Sequence, residues 1–243
     1  MNMTKQTKTF ANPAAAAAAL AADFAAEVNN TLSDQAKLTI ALSGGNSPKE
    51  FFACLARDYA DKIDWNRIHF FWSDERCVPP DDSDSNYGMA NELLLRHLPL
   101  DAGNVHRVHG ESDPDEERSR YENEIYGDVE LNDLAVPQFD FILLGMGEDG
   151  HTASLFPHQM QYMTSDRVCE VAIHPETAQK RITLTGPVLN AARKIAFLVT
   201  GANKARVLGE VIHKTGNHDS YPAAHVAAAD MTFYVDEAAG SGV

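Results

Sequence analysis

Hydrophobic and polar positions divide the chain into short apolar runs and longer segments with helical spacing. Runs rich in β-branched and aromatic residues predict buried strands, whereas apolar positions three and four residues apart predict helices. The predicted strands are Lys37–Leu42, Arg67–Ser73, Val105–Val108, Phe139–Leu144, Arg167–Ile173, Arg181–Thr185, Ile195–Thr200 and Met231–Val235. The predicted helices are Pro13–Leu32, Lys49–Tyr59, Asn86–Leu98, Asp113–Tyr126, Pro187–Ala192 and Ala205–His213. The polar segment Met1–Thr9 is predicted to fray.

Strands and helices alternate along most of the chain. This alternation is typical of α/β proteins with a mostly parallel, doubly wound sheet and helices on both of its faces. No stretch resembles an interdomain linker, so residues 1–243 are predicted to form one domain. Ligands of such sheets bind where the carboxyl ends of the strands meet, so the residues that follow each strand are the first candidates for function.

The segment Phe139–Pro157 joins a predicted buried strand to chemically reactive side chains. After the strand come glycines, acids and a histidine, namely Gly145, Gly147, Glu148, Asp149, Gly150 and His151. A histidine and a carboxylate two residues apart provide the materials for general acid–base catalysis. The small residues that follow predict the start of a helix. A tight turn with a surface or core histidine is the structural alternative.

The three glycines also match the GxGxxG pattern of dinucleotide-binding proteins, with Glu170 near the position of a ribose-binding acid. Two features count against a dinucleotide site. Glu148 and Asp149 would place negative charges against a pyrophosphate. The pattern also normally follows the first strand of its unit, whereas several predicted strands precede it here.

A second glycine turn follows the predicted strand Lys37–Leu42 and leads into the next helix. It consists of Ser43, Gly44, Gly45, Asn46 and Ser47. Backbone N–H groups that turn toward a ligand, together with the helix dipole, form a site for an anion, most naturally phosphate. An ordinary turn capped by Ser47 explains the same residues, and the loop alone does not decide between the two.

Charged residues accompany three further predicted strands. Asp74 and Arg76 follow Arg67–Ser73, Arg181 begins its own strand, and Lys204 follows Ile195–Thr200. Arg76 can bind a phosphate through two N–H groups. Lys204 would oppose the dipole of its helix, which an anionic ligand would explain. An ion pair of Arg76 with a neighbouring acid and a solvated Lys204 are the alternatives.

The composition of the chain argues against several classes of binding partner. A formal net charge of −15 disfavours nucleic acid and anionic membranes, so an anionic ligand needs a local cluster of basic residues. No apolar run is long enough to span a membrane. Cys54, Cys77 and Cys169 lack metal-ligand spacing, which predicts free thiols in a reducing cytoplasm and no metal site.

Six segments of the chain together resemble the 6-phosphogluconolactonases. They fall in the family's order between residues 42 and 204, and the longest is highly specific. The segments read LSGGNSP, FWSDER, SNY, LGMGEDGHTASLFP, RITLT and GANK, beginning at residues 42, 71, 85, 144, 181 and 201. The pair Asn46-Ser47 departs from the Ser-Thr that the family more often carries, but it keeps hydrogen-bonding side chains.

The resemblance implies a Rossmann-like fold shared with glucosamine-6-phosphate deaminases and ribose-5-phosphate isomerases. It implies hydrolysis of 6-phosphoglucono-δ-lactone without metal or cofactor by a cytoplasmic monomer or small homo-oligomer. His151 would be the catalytic acid–base, with Asp149 as a candidate to orient it. The phosphate would lie among the Ser43–Ser47 loop, Arg76, Arg181 and Lys204.

Two related functions remain open at this point, a sugar-phosphate deaminase or isomerase and a non-catalytic sugar-phosphate sensor. The deaminases carry GHxxFNEP, in which a glutamate helps to open the sugar ring. Phe156 stands at that position and cannot transfer a proton. Asp74 matches an acid that deaminases use for proton abstraction, and its role here is open. A sensor would need the phosphate cluster but neither Asp149 nor His151.

Overall fold

The computed structural model describes residues 4–243, which contain nine strands and seven α-helices. The strands are β1 (Thr4–Phe10), β2 (Leu38–Leu42), β3 (Ile68–Trp72), β4 (Asp74–Arg76), β5 (Phe141–Leu144), β6 (Cys169–Ile173), β7 (Lys180–Leu184), β8 (Lys194–Val199) and β9 (Asp230–Asp236). The helices are α1 (Pro13–Asp34), α2 (Pro48–Asp58), α3 (Asn86–Leu93), α4 (Pro114–Asp128), α5 (Gly186–Ala191), α6 (Ala205–His213) and α7 (Glu237–Gly240). None of these helices combines the length and apolar character needed to cross a lipid bilayer.

Six strands form one parallel sheet in the order β1-β9-β8-β5-β2-β3. Alternate positions along each strand face opposite sides, as the pleat of a sheet requires. Ile40 and Leu143 pack against α1 and α2 on one face, and Ala41 and Ile142 belong to the core that α4, α5 and α6 cover on the other. The predicted α/β class, with a mostly parallel sheet and helices on both faces, is confirmed.

A second sheet of three antiparallel strands, in the order β4-β7-β6, stands beside the first. The sequence predicted β6 and β7 as strands but not their separation from the main sheet. It also placed Asp74 and Arg76 after the end of a strand, whereas Asp74–Arg76 forms a strand of its own that pairs in register with Arg181–Thr183. The second sheet therefore brings the beginning of β7 to the carboxyl end of β3.

The prediction that Met1–Thr9 frays is wrong for the residues that the structure describes. Thr4–Phe10 pairs along its whole length with β9 as a parallel edge strand. Its polar side chains form contacts at the surface. Lys8 Nζ lies 2.6 Å from Asp23, and Lys5 lies over the Phe233 ring. Exposed polar side chains on an edge strand conceal its strand character from a hydrophobic pattern. Residues 1–3 of the predicted segment lie outside the described residues.

Three other predicted elements differ from the structure. No helix follows His151, because Ala153 adopts a left-handed conformation (φ 49°) and Thr152 bridges to Leu155. Instead, a 3-10 helix spans Pro157–Thr164. The predicted strand Val105–Val108 reduces to one bridge with Phe70. The predicted helix Asn86–Leu98 ends at Leu93 and continues as a 3-10 turn over residues 95–97.

Tyr121 of α4 completes the hydrogen bonding of the edge strand β3. Its hydroxyl accepts from the N–H of Trp72 at 2.8 Å and donates to the carbonyl of the same residue at 2.9 Å. Tyr121 is 1% exposed, so water does not reach the two Trp72 groups that its hydroxyl binds. Because Trp72 directly precedes Ser73 and Asp74, this side chain fixes the point at which β3 turns into β4.

Replacement of Tyr121 by Phe should destabilise the protein by about 1–3 kcal/mol, because a buried N–H and a buried carbonyl lose their partner. Urea unfolding followed by circular dichroism measures the change. Tyr126→Phe is the matched control, since Tyr126 lies on the same helix but is 45% exposed. Equal stabilities of the two variants would show that the Tyr121 hydroxyl does not support β3.

Candidate active site

A cavity of about 520 Å³ opens at the carboxyl ends of β2, β5 and β8, between them and the second sheet. Parallel α/β sheets place ligand sites at this edge. Its lining is formed by Pro13, Ser43, Gly44, Gly45, Asn46, Ser47, Pro48, Glu50, Asp74, Arg76, Asn86, Gly145, Met146, Gly147, Glu148, His151, Ala153, Arg181, Thr200, Asn203 and Lys204. Seven separate segments of the chain thus contribute to one cavity.

The loop between β2 and α2 forms one wall. Gly45 has φ 93°, a conformation that favours glycine, and a Cβ on Gly44 would lie 1.7 Å from Oδ1 of Asn86. The Ser43 hydroxyl donates to the carbonyl of Leu143 at 2.7 Å and contacts the Ser73 hydroxyl at 2.7 Å. It therefore ties β2 to β5 and β3, and its hydrogen is not available to a ligand. The donors that this loop offers to a ligand include the backbone N–H groups at the start of α2.

Arg76 and Arg181 lie directly opposite each other on β4 and β7. Like charges in this arrangement repel each other. Arg76 donates from Nη1 to the carbonyl of Asp84 at 2.6 Å, while its buried Nε has no hydrogen-bond partner among residues 4–243. Burial lowers the pKa of Arg181, so its cation is held in a poorly solvated place. An anion in the cavity would relieve both the repulsion and the missing hydrogen bond.

Lys204 brings a third cation from the turn between β8 and α6. Burial lowers the pKa of its ammonium group, and the nearby carboxylates of Glu148 and Asp149 act in the opposite direction. The neighbouring Asn203 donates from Nδ2 to Oε1 of Glu148 at 2.6 Å. This hydrogen bond joins the turn after β8 to the glycine turn after β5 and sets the spacing of two loops at the rim.

Asp149 and His151 form a hydrogen-bonded pair in the turn after β5. His151 Nδ1 lies 2.6 Å from Oδ1 of Asp149, which also accepts from the His151 backbone N–H at 3.2 Å. The ring of Phe156 packs against the imidazole with centroids 5.0 Å apart. Because Nδ1–H donates to the carboxylate, Nε2 carries the lone pair and is free to accept a proton.

The carboxyl group of Asp149 is ionised, so the imidazole of His151 has a negatively charged partner. Burial raises the pKa of its carboxyl, but the hydrogen bonds and charge of His151 outweigh that effect and bring the pKa to about 2. The group therefore remains a carboxylate throughout the neutral range. It can hold the tautomer of His151 and stabilise the imidazolium ion that forms when Nε2 takes up a proton.

Glycine is required at two positions of this turn. A Cβ on Gly147 would lie 2.1 Å from Nδ1 of His151 and 2.4 Å from Oδ1 of Asp149. Gly150 has φ 79°, and a Cβ there would meet the ring of Tyr221 at 2.4 Å. The glycine spacing thus makes room for the hydrogen-bonded pair. Glu170 lies on β6 in the other sheet, where it accepts from Ser165, so it does not complete a dinucleotide site with this turn.

Asp74 is buried at the base of the cavity. Its Oδ2 accepts from the Ser154 hydroxyl at 2.7 Å, and its Oδ1 lies 3.3 Å from Nδ2 of Asn86. The Ser154 hydroxyl is in turn 3.5 Å from Nη1 of Arg181. Asp74 is therefore part of a polar network that reaches the β7 arginine.

The structure brings the predicted site residues together. Those that line the cavity are Ser43, Gly44, Gly45, Asn46, Ser47, Asp74, Arg76, His151, Arg181 and Lys204, with Asp149 directly behind the imidazole. Asn86, Glu148, Thr200 and Asn203 also line it and were not predicted as site residues. Asn86 and Asn203 lie within the matched SNY and GANK segments, which was the available signal. Glu148 was recognised only as a charge that opposes a pyrophosphate.

Comparison with known proteins gives consistent results over nearly the whole chain. The family model described as glucosamine-6-phosphate isomerases/6-phosphogluconolactonase matches residues 11–235. A 6-phosphogluconolactonase from Haemophilus influenzae is 42% identical over 205 residues, which is 82% of this chain and 85% of the relative. One from Treponema pallidum is 44% identical over 195 residues, or 80% of each chain.

The fold agrees with a solved structure as well. The crystal structure of the devB protein superposes with a TM-score of 0.91 at 39% identity, covering 99% of this chain and 100% of the other. The family model, over residues 11–235, includes all the cavity-forming segments. The chain belongs to the glucosamine-6-phosphate isomerase/6-phosphogluconolactonase family.

Proposed function

We propose that this protein hydrolyses 6-phospho-D-glucono-1,5-lactone to 6-phosphogluconate, the lactonase step of the oxidative pentose phosphate pathway. The observation that carries the proposal is one cavity holding a carboxylate-bound histidine and three cationic side chains. The relatives described above are 6-phosphogluconolactonases by name, which supports the same reaction. A lactone is an activated ester, so the reaction as proposed requires a positioned base and a bound phosphate, and no cofactor.

His151 acts as the general acid–base in this proposal. Its Nε2 takes a proton from a water molecule that attacks C1 of the lactone, and then returns a proton to the departing ring oxygen. Asp149 keeps Nδ1 protonated and balances the transient positive charge. General acid–base catalysis by a positioned group contributes about 10²- to 10⁴-fold in rate.

The cationic side of the cavity holds the substrate phosphate. Arg76, Arg181 and Lys204 supply positive charge, and residues 43–47 supply backbone N–H groups at the start of α2. These groups overcome the negative field of a protein with net charge −15. A phosphate fixed there places the far end of the sugar, with its carbonyl, against His151, which contributes through positioning.

Asp74 acts as a positioning residue in this scheme. Its carboxylate is engaged by Ser154 and Asn86, so it holds the network that reaches Arg181. A deaminase would use an acid here to abstract a proton and a second acid to open the sugar ring. Phe156 occupies the position of that second acid and packs on the catalytic imidazole, which favours the lactonase over the deaminase.

Three expectations from the sequence remain predictions beside this function. They are the organisation of residues 1–243 as one domain, a cytoplasmic location, and a monomeric or small homo-oligomeric state. The two buried cores that share the central sheet support the first.

His151→Asn should lower kcat on freshly generated lactone by about 10²- to 10⁴-fold with little change in KM, because it removes the base but no phosphate contact. The assay is corrected for spontaneous hydrolysis. His158→Asn is the control, since His158 also stacks on Phe156, at 5.7 Å between ring centroids, but lies outside the cavity lining. Turnover at the wild-type rate in the folded His151 variant would remove this residue from the mechanism.

Asp149→Asn should also lower kcat, because an amide no longer fixes the imidazole tautomer or balances its charge. The double variant with His151→Asn should be no slower than the single His151 variant, since two residues that act as a unit give non-additive effects. Single-turnover rates of the four proteins measure this coupling. Fully additive losses would show that Asp149 does not act through His151.

Arg181→Met should raise KM at least about tenfold for the phosphorylated lactone, since it removes a charge-assisted contact of the kind worth about 1.5–3 kcal/mol. It should not destabilise the ligand-free protein, because it also removes repulsion with Arg76. Steady-state kinetics measure KM, and thermal unfolding with and without inorganic phosphate measures stability and phosphate binding. Phosphate should protect the wild type more than the variant. Arg167→Met, at an exposed position, is the control. An unchanged KM with unchanged phosphate protection would place the phosphate elsewhere.

A further inference from the structure

Two histidines and two carboxylates meet at the end of the sheet opposite to the cavity. His69 lies at the start of β3, His106 lies in the segment after α3, and Glu124 and Asp128 lie in the last turns of α4. None of the four lines the cavity. Glu124 and Asp128 are one helical turn apart on α4, but both histidines are distant from them and from each other in sequence.

The ring nitrogens and one carboxylate are close enough to share a cation. Nδ1 of His69 is 2.9 Å from Nε2 of His106 and 3.9 Å from Oδ1 of Asp128. One ligand atom from each of these three residues lies within 4.8 Å of the others, the one such group of three found among residues 4–243. The two imidazole planes differ by 15°. Since the ring centroids are 5.1 Å apart, the rings meet edge to edge, with nitrogen facing nitrogen.

Glu124 fixes which nitrogen of His106 carries the lone pair. Its Oε1 lies 2.9 Å from Nδ1 of His106, and its other oxygen accepts from Arg120. Nδ1–H therefore donates to the carboxylate, and Nε2 presents its lone pair to His69. A carboxylate behind the distal nitrogen of an imidazole is the arrangement that orients metal-binding histidines. The ring of His106 is also held by stacking on Phe71, at 4.3 Å between centroids.

We propose that His69, His106 and Asp128 bind a divalent transition-metal ion of the Zn²⁺ type, with Glu124 orienting His106. Two imidazole nitrogens and one carboxylate oxygen suit Zn²⁺, with water as a fourth ligand. Tetrahedral ligands at 2.0–2.1 Å from zinc are about 3.3 Å apart. The observed 2.9 and 3.9 Å separations bracket that value, and the third pair of ligand atoms lies within 4.8 Å. Metal binding therefore requires rotation of the partly exposed side chains of His69 and Asp128.

The ion competes with a proton and with Lys37. In its absence one proton joins the two facing nitrogens, and Nζ of Lys37 lies 3.4 Å from Oδ1 of Asp128. Metal binding displaces both and ties the start of β3 to the end of α4, the same two elements that Tyr121 joins at the other end of the strand. The site is structural and takes no part in the reaction, so the proposal does not rest on the proposed function.

Calorimetric titration of chelator-treated protein with ZnCl₂ tests the site, with visible absorption of bound Co²⁺ as a second readout. The wild type should bind one ion. Asp128→Asn and His69→Gln should each weaken binding at least about tenfold, judged against the 10- to 100-fold effect of removing even outer-shell partners. Lys37→Met should strengthen binding severalfold by removing the competing cation. Circular dichroism and unfolding without metal verify that each variant is folded.

Two histidine controls separate this site from other places where zinc could bind. His97→Gln removes an exposed histidine, and His151→Asn removes the imidazole of the His–carboxylate pair in the cavity. Both should bind zinc as the wild type does. Absence of saturable binding by the wild type would overturn the proposal. Wild-type affinity in either folded ligand variant, or loss of affinity in the His151 variant, would also overturn it.

Discussion

The parallel register of the main sheet is the constraint from which the cavity follows. Strands that run in the same direction end at the same edge, so the turns after β2, β5 and β8 converge although they are far apart in sequence. The Ser43 hydroxyl, directly after β2, donates to the carbonyl of Leu143 in β5 and contacts the Ser73 hydroxyl directly after β3. These contacts hold three neighbouring strands together where their turns begin. Each turn then needs only a short motif to place its functional atoms. The chemistry is therefore distributed over several short segments.

A second constraint is electrostatic. The protein carries a formal charge of −15, yet it places Arg76 opposite Arg181 and brings Lys204 to the same cavity. The antiparallel strand pair β4–β7 enforces the arginine contact, because register fixes which side chains face each other. Buried carboxylates such as Asp74 compensate part of the positive charge of these three side chains. The positive charge that is not compensated is available to an anionic ligand. The repulsion between the two arginines is a local cost in stability that the proposed phosphate would offset.

Much of this architecture could be predicted from the sequence because its signals are local. Apolar runs marked the buried strands, and glycine turns marked their carboxyl ends. β1 was not predicted as a strand, because backbone hydrogen bonds pair it with β9 while its side chains are polar. The separation of β6 and β7 into a second sheet was not predicted, because a hydrophobic pattern identifies a strand but not the strand that it pairs with. Asn86 was not predicted as a site residue because its contact with Asp74 arises from the tertiary fold. Glu148 lies within the predicted turn, but only its charge was considered. The pair of His69 and His106 at the other end of the sheet was not predicted, because only the tertiary fold brings the two residues together.

The glycine turn after β5 shows why a motif has to be judged with its surroundings. In a dinucleotide site, the glycines leave room for a pyrophosphate at a helix N-terminus. Here the space above Gly147 is filled by the Asp149–His151 pair, and no helix follows, since Thr152 and Ala153 turn the chain toward the second sheet. The same spacing therefore supports a fixed imidazole. A pyrophosphate in that place would have to displace the hydrogen bond that orients His151, and it would meet the carboxylate of Glu148 at the rim.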